Sequence, residues 1–205
     1  MRIKSEKLLN TRTVITGSRY AGMLRESLFT VYVGVFNGTP FLESLLGQIQ
    51  DQTIQNFPII VVDNCSTDDS WGQILEWPTE LLNRTKLIRN PMNIGAHGSL
   101  ALNLSEIKTE WFITLHQDDS YGPSHVAVLS EAIDVCSRQE IVLFTDMGTQ
   151  NMKSKKIFTP IRQSWIANLD TPESTFRANL LQQSISTPSA AFRVSGISPI
   201  RIPWH

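Results

Sequence analysis

Residues 51–70 read DQTIQNFPIIVVDNCSTDDS, and this stretch decides the fold class. Its centre, PIIVVD at 58–63, is a short apolar run that ends on a carboxylate, a pattern typical of a parallel strand buried on both faces. The polar residues after Asp63 predict a loop and then a helix capped by Ser66 or Thr67. A buried strand followed by a helix is the unit from which parallel sheets are built.

The same alternation of strand and helix extends in both directions from this unit. Residues 29–36 (FTVYVGVF) are rich in β-branched and aromatic residues and stop at an Asn-Gly turn, so they predict a strand before it. Apolar residues at helical spacing predict a helix after each strand. The predicted strands are 29–36, 58–63, 86–89, 111–115 and 141–145, and the last predicted helix runs through Val126, Leu129, Ile133 and Val135. The pattern predicts an α/β fold with a mostly parallel, Rossmann-like sheet flanked by helices.

Composition limits the class of protein. The 205 residues are 41% hydrophobic and 18% charged, enough apolar material for one core. Eighteen Lys and Arg against 19 Asp and Glu give no basic excess, so nucleic acid is not expected as a partner. Cys65 and Cys136 have no metal-ligand or redox spacing, which suits a reducing cytoplasm.

We expect two segments. Residues 1–28 carry six Lys or Arg against two Glu and predict a basic, loosely ordered N-terminal extension. The alternative is peripheral contact of this extension with the inner face of the membrane. Residues 29–205 are expected to form the single folded domain.

Three polar clusters stand directly after predicted strands: Asn37-Gly38, Asp63-Asn64 and Asp118-Asp119. Ligands of parallel α/β sheets bind at the carboxyl ends of the strands. We therefore expect the three clusters to converge on one site.

Several motifs occur in an order and spacing that resemble family 2 glycosyltransferases of the GT-A fold, over roughly residues 30–194. They are VGVFNG at 33–38, the long block at 51–70, NIG at 93–95 and FITLHQDD at 112–119. The resemblance implies the fold of the nucleotide-diphospho-sugar transferases and an inverting, hexosyltransferase-like activity. The implied reaction moves a sugar from a UDP- or dTDP-sugar donor to a glycan, lipid-linked or polysaccharide acceptor.

The resemblance also implies the site residues. The nucleotide would be held by Gly34, Phe36, Asn37, Asp63, Asn93 and Gly95. Asp63 is expected to accept the imide N–H of the base, a charge-assisted bond worth about 1.5–3 kcal/mol. Phe36 is expected either to wall the base or to belong to the core.

The acidic pair Asp118 and Asp119 is expected to be catalytic and to bind Mn²⁺ or Mg²⁺. A carboxylate about 4 Å from a phosphate oxygen costs about 4 kcal/mol of repulsion at an effective dielectric near 20, so a cation is needed between them. The alternative is that the pair is only the solvated start of a helix.

The chain departs from the family pattern at three places. His116 replaces a frequent acidic residue and is expected to be a polar wall, with a nitrogen ligand as the alternative. Leu100-Ala101 stand where an Arg-Asn pair is frequent. No Asp or Glu follows Glu173, so the family's general base has no counterpart after the segment STPSAAFR at 186–193.

Two other functions compete with transfer. The first, raised by the missing base, is a truncated, catalytically silent fragment that binds a nucleotide-sugar. A dinucleotide-dependent oxidoreductase would share the fold class, but the first strand is not followed by G-x-G-x-x-G. Transfer is therefore the leading expectation, and silent donor binding is its alternative.

Overall fold

The computed structural model describes residues 11–136, 142–144, 149–150, 157–158 and 190–194. Within these ranges the strands are β1 Thr13–Thr16, β2 Phe29–Val35, β3 Ile59–Asp63, β4 Thr85–Arg89, β5 Trp111–His116, β6 Val142–Phe144, β7 Thr149–Gln150, β8 Ile157–Phe158 and β9 Ala190–Arg193. The helices are α1 Tyr20–Glu26, α2 Leu42–Gln50, α3 Ser70–Leu75, α4 Thr79–Asn83, α5 Ala96–Asn103 and α6 His125–Val135, with a 3₁₀ turn at Leu104–Glu106. No helix in the described ranges is long and apolar enough to cross a membrane.

Seven strands form one sheet in the order β1-β4-β3-β2-β5-β9-β6, and β7 pairs with β8 separately. The four central strands β4, β3, β2 and β5 are parallel to their neighbours. The edge strand β1 and the inserted strand β9 run antiparallel to theirs. The prediction of a mostly parallel sheet with helices between the strands is confirmed. The position of β9 between β5 and β6 was not predicted, because its sequence neighbours do not indicate which strands it joins.

The two faces of the sheet are covered by different helices. Along β2, Val31, Val33 and Val35 face a core that includes the apolar sides of α2 and α6. The alternate residue Tyr32 faces a second core shared with Phe112 of β5 and with Tyr20 of α1. This period of two follows from the pleat of a strand and decides which side chains reach each face.

The N-terminal part is more ordered than predicted. Strand β1 lengthens the sheet beyond β4, and α1 buries Tyr20 and Met23. The Arg12 guanidinium bonds the Asn103 amide oxygen and pairs with Glu106 at 2.8 Å, so this basic residue joins the fold. A loosely ordered extension is therefore the wrong prediction for residues 13–26, while residues 1–10 lie outside the described ranges.

Helix α3 begins later than predicted. The expected caps Ser66 and Thr67 bond to the loop after β2 instead. The carboxylate of Asp68 accepts the Ser70 backbone N–H at 3.0 Å, so the helix begins at Ser70. At the other end of the fold, Val135 closes α6 and is 85% exposed.

Candidate functional site

The loops after β2, β3 and β5 lie side by side. Val35 is the register partner of Asp63, and Gly34 is the register partner of His116, so the three strands end at the same level. The Asn37 backbone N–H donates to the Ser66 hydroxyl at 3.0 Å, which joins the first two loops. The loops that carry the three predicted polar clusters therefore lie next to one another at one edge of the sheet.

A cavity of about 220 Å³ opens between these strand ends and α5. Its floor is apolar and aromatic, formed by Tyr32, Leu100, Phe112 and Phe192. Its polar lining comes from Asn64, His97, Ser99, Thr114, His116, Gln117 and Asp118. An apolar pocket with a few convergent polar groups is the usual form of a small-molecule site.

The cavity reaches the backbone of β2 at Gly34, which has no side chain to fill the space. A Cβ added there would meet only the Tyr32 ring, at 3.8 Å, so the space above this residue is empty. Gly34 also lines the cavity directly, as the sequence predicted. A flat ligand can therefore approach the backbone of β2 at this point.

His116, Asp118 and Asp119 form a cluster in which the nearest ligand atoms all lie within 4.8 Å of one another. The His116 Nδ1 atom is 3.8 Å from the Asp119 Oδ2 atom. Asp118 also lines the cavity, so the cluster sits at its rim. Carboxylate oxygens and an imidazole nitrogen are ligands that divalent cations accept, so the residue types of the cluster fit such an ion.

The electrostatics of the cluster are unfavourable without a cation. Burial raises the pKa of Asp119, and the neighbouring Asp118 raises it further against the opposing effect of His116. Burial lowers the pKa of His116 although both carboxylates act to raise it, and His97 lowers it further. The site thus holds charge that is partly desolvated, which is frequent at functional sites.

Asp63 does not line the cavity. Its side chain is fully buried, its carboxylate accepts the Ser66 N–H at 3.2 Å, and it pairs with Arg89 at 3.1 Å. A group with no accessible surface cannot accept the imide proton of a base, so that role for Asp63 is corrected. Its carboxylate instead holds the loop after β3 in place.

The residue that reaches the cavity at the end of β3 is Asn64, which the sequence placed in a polar cluster but to which it assigned no role. Its amide oxygen accepts from Asn90 at 3.1 Å and from the Ile94 N–H at 3.3 Å, and its amide donates to Asn93 at 2.8 Å. The alternation of side chains along β3 was a usable signal. Asp63 has the same parity as Val61, which faces the core formed with α2 and α6. Asn64 has the same parity as Val62, which faces the cavity side of the sheet.

Asn93 and Gly95 build the turn that starts α5 rather than the cavity wall. The Asn93 side-chain oxygen accepts the Gly95 N–H at 2.9 Å, and Gly95 has φ +74°, a conformation that favours glycine. This turn places Ala96 and His97 in the cavity lining. His97 was also missed, and its position in the first turn after the Asn-Ile-Gly motif was the available signal.

Phe36 and Asn37 lie outside the cavity lining. Phe36 is 38% exposed, so the core alternative for it is wrong. Asn37 has φ +49°, and its side-chain oxygen accepts the Thr67 N–H at 2.9 Å. Asn is among the residues that adopt this backbone region most readily, and here it fastens two loops of the site together.

No residue is assigned as the general base. Asp146, Asp170, Glu173 and His205 fall outside the described residues. Within the segment that resembles the family's acceptor-side motif, Ala190–Arg193 is strand β9, and Phe192 from it closes the cavity floor.

Comparison with known proteins identifies the family. The sequence profile of glycosyl transferase family 2 matches residues 30–200. An uncharacterized glycosyltransferase of Haemophilus influenzae is 31% identical over 99 residues, which cover 48% of this chain and 30% of that protein. The chain spans about a third of the length of the curated relatives it matches.

Two solved structures share the fold. S. aureus TarS 1-349 in complex with UDP-GlcNAc has a TM-score of 0.60 at 22% identity, covering 82% of this chain and 46% of TarS. The mannosyltransferase PcManGT of Pyrobaculum calidifontis, solved with GDP-Man and Mn²⁺, has a TM-score of 0.55 at 15% identity, covering 93% and 50%. The fold is therefore GT-A, and because the profile covers most of its length, the chain belongs to glycosyl transferase family 2.

Proposed function

We propose that this chain binds a uridine or thymidine diphosphate sugar together with a divalent cation and transfers the sugar to a glycan, lipid or polysaccharide acceptor. One observation carries the proposal: the His116, Asp118 and Asp119 cluster stands at the rim of a cavity that opens beside Gly34. A nucleoside diphosphate has the matching shape, with a flat base at one end and anionic oxygens at the other.

The diphosphate belongs at the rim. Asp118 and Asp119 would repel a phosphate by about 4 kcal/mol at 4 Å and an effective dielectric near 20, unless a cation lies between them. Bound there, Mn²⁺ or Mg²⁺ supplies Lewis-acid stabilisation of the departing nucleoside diphosphate. The protein's own part is to fix both carboxylates on the turn after β5, close to the cavity.

The base belongs against the floor. Tyr32 and Phe112 provide an aromatic and apolar surface, and Gly34 leaves room above it. The amide of Asn64 and the ring of His97 are the polar groups that face a base from the other side. We assign base recognition to these two residues, since Asp63 is enclosed behind the wall.

We expect an inverting reaction, as the family resemblance implies, in a reducing cytoplasm, which suits the free Cys65 and Cys136, and the acceptor class stays a prediction. An inverting transfer needs a general base for the acceptor hydroxyl. The acidic candidates named above lie outside the described residues, so no residue is assigned to this step.

Calorimetry tests the donor site. UDP should bind with Mn²⁺ present and at least tenfold more weakly without it. Asp118→Asn and Asp119→Asn should each weaken binding at least tenfold, because a charge-assisted contact is worth about 1.5–3 kcal/mol and tenfold is about 1.4 kcal/mol. The matched control is Asp134→Asn, an exposed carboxylate on α6, which should bind like the unchanged protein. Equal heats with and without metal in the folded protein would show that the site is wrongly assigned.

Release of UDP from a UDP-sugar distinguishes transfer from silent donor binding. We expect acceptor-dependent release of UDP from the unchanged chain. Donor binding without any release, across lipid, glycan and polysaccharide acceptors, would leave the binding fragment as the function.

A further inference from the structure

His116 is the member of the cluster that departs from the family pattern, in which an acidic residue is frequent at this position. It ends β5 two residues before Asp118, and its side chain is 43% exposed. By the period of two it shares the cavity face of the strand with Phe112 and Thr114, which line the same cavity. The imidazole therefore lies on the cavity side of β5 and not in the core that contains Ile113 and Leu115.

The backbone that carries this imidazole is held firmly. The His116 N–H donates to the Tyr121 hydroxyl at 2.5 Å, and the Tyr121 N–H donates to the Gln48 amide oxygen at 2.6 Å. These two bonds tie the strand end to the turn after it and to α2. A ligand whose backbone is fixed loses little freedom when it binds a metal.

The distance between the imidazole and its carboxylate neighbour suits a shared cation. The 3.8 Å between His116 Nδ1 and Asp119 Oδ2 is too long for a hydrogen bond. Two metal-ligand bonds of about 2.1 Å place their outer atoms between about 3.0 Å apart at a right angle and about 4.2 Å apart in line. The observed distance lies within that interval.

We propose that His116 Nδ1 is a third protein ligand of the cation, and that it makes the site select a transition metal such as Mn²⁺ over Mg²⁺. This inference rests on the proposed function, because the same two aspartates hold the cation. Mg²⁺ demands a nearly ideal octahedron and keeps several of its waters, whereas a nitrogen ligand adds affinity for first-row transition-metal ions, in an order that rises from Mn²⁺ to Cu²⁺. An all-oxygen set at this position would discriminate less between the two ions.

Pulsed electron paramagnetic resonance of bound Mn²⁺ tests the nitrogen ligand directly. With saturating Mn²⁺ and UDP, the unchanged protein should show the ¹⁴N modulation of a coordinated imidazole. His116→Asp should lose that modulation and still bind Mn²⁺. His125→Gln is the matched control, since His125 lies on α6 outside the cavity lining, and it should keep the modulation.

Competition measures the selectivity. The Mg²⁺ concentration that displaces half of the bound Mn²⁺ should fall at least tenfold in His116→Asp, and His116→Gln, which keeps the side chain uncharged, should behave similarly. Thermal melts of each variant confirm that it is folded. Bound Mn²⁺ without ¹⁴N modulation, modulation that survives in His116→Asp, or an unchanged competition ratio would each overturn the inference and leave the donor site standing. Absence of Mn²⁺ binding in the folded, unchanged protein with UDP would overturn both.

Discussion

The side chain of Gln117 bonds the backbone of Phe36 in both directions. Its Nε2 donates to the Phe36 carbonyl at 3.0 Å, and its Oε1 accepts the Phe36 N–H at 3.1 Å. Gly34 and His116 are the last register pair of β2 and β5. The Gln117 side chain thus joins the two strands again just beyond that pair. Gln117 stands between His116 and Asp118 in the sequence. Its two hydrogen bonds to Phe36 therefore connect the cluster of His116, Asp118 and Asp119 to the end of β2, the strand that carries Gly34.

Replacing Gln117 should loosen the site more than the fold. Gln117→Ala removes two exposed hydrogen bonds, each worth about 0.5–1.5 kcal/mol at most. We expect a small loss of stability and a several-fold weaker affinity for UDP with Mn²⁺, measured by melting and calorimetry. Gln117→Glu keeps the acceptor for the Phe36 N–H but loses the donor to the Phe36 carbonyl. Its UDP affinity should lie between that of the unchanged protein and that of Gln117→Ala. A large fall in melting temperature with unchanged affinity would show that the clamp serves the fold alone.

Filling the gap at Gly34 should block the nucleotide and spare the fold. Alanine fits there, because the nearest atom to an added Cβ is 3.8 Å away, and valine projects further into the cavity. We expect Gly34→Val to weaken UDP binding more than tenfold with an unchanged or higher melting temperature, since a β-branched residue suits a strand.

The control for this change is Gly47→Ala on α2, where an added Cβ meets no atom within 4 Å. It should raise stability by about 0.5–1 kcal/mol and leave affinity unchanged. Normal UDP binding by Gly34→Val would place the nucleotide away from the cavity.

The prediction from sequence succeeded where a local pattern carried the information. Continuous apolar runs predicted the buried parallel strands, and the residues after them predicted the edge at which the site lies. Gly34 and Asp118, which the family resemblance singled out, do line the cavity, and their roles stay predictions. Strand β9 could not be placed, since its pairing with β5 and β6 depends on contacts that are distant in sequence.

The choice between Asp63 and Asn64 shows why the site was only partly predictable. Both residues stand at the end of β3, and the charge of Asp63 made it the stronger chemical candidate. Because side chains alternate along β3, the Asp63 carboxylate lies on the side of the sheet away from the cavity. There it pairs with Arg89 and stabilises the loop after the strand. A residue's chemistry therefore has to be weighed together with its strand parity before a role is assigned.

Asp63→Asn separates these two roles. The asparagine keeps the shape but loses the charge that pairs with Arg89 and accepts the Ser66 N–H. We expect a loss of about 2–3 kcal/mol in the free energy of unfolding, because hydrogen bonds to charged groups are worth about 1.5–3 kcal/mol. Below its melting temperature, the variant should keep UDP affinity within several-fold. Full stability with abolished binding would instead make Asp63 the base ligand.

Glu106 makes the anchoring of the N-terminal strand dependent on pH. Burial alone would raise the pKa of Glu106, but hydrogen bonds from Lys86 and Arg12, and their charges, outweigh it and hold the pKa below the ordinary value of 4.5. A carboxyl with a lowered folded-state pKa stabilises the fold above its ordinary pKa, and this contribution disappears as the pH falls through the folded-state value.

Glu106→Gln should therefore cost about 1 kcal/mol at pH 7, in the range of partly exposed ion pairs. The difference from the unchanged protein should shrink as the pH falls from 4.5 toward the lower folded-state pKa, because the unfolded glutamate is protonated first and the native glutamate follows. Urea unfolding between pH 3 and pH 7 measures this. Glu131→Gln on α6 is the control, since that carboxylate is exposed and should give a small difference at every pH. A difference for Glu106→Gln that stays constant across the range would mean that the two ion pairs do not hold β1 and the 3₁₀ turn together.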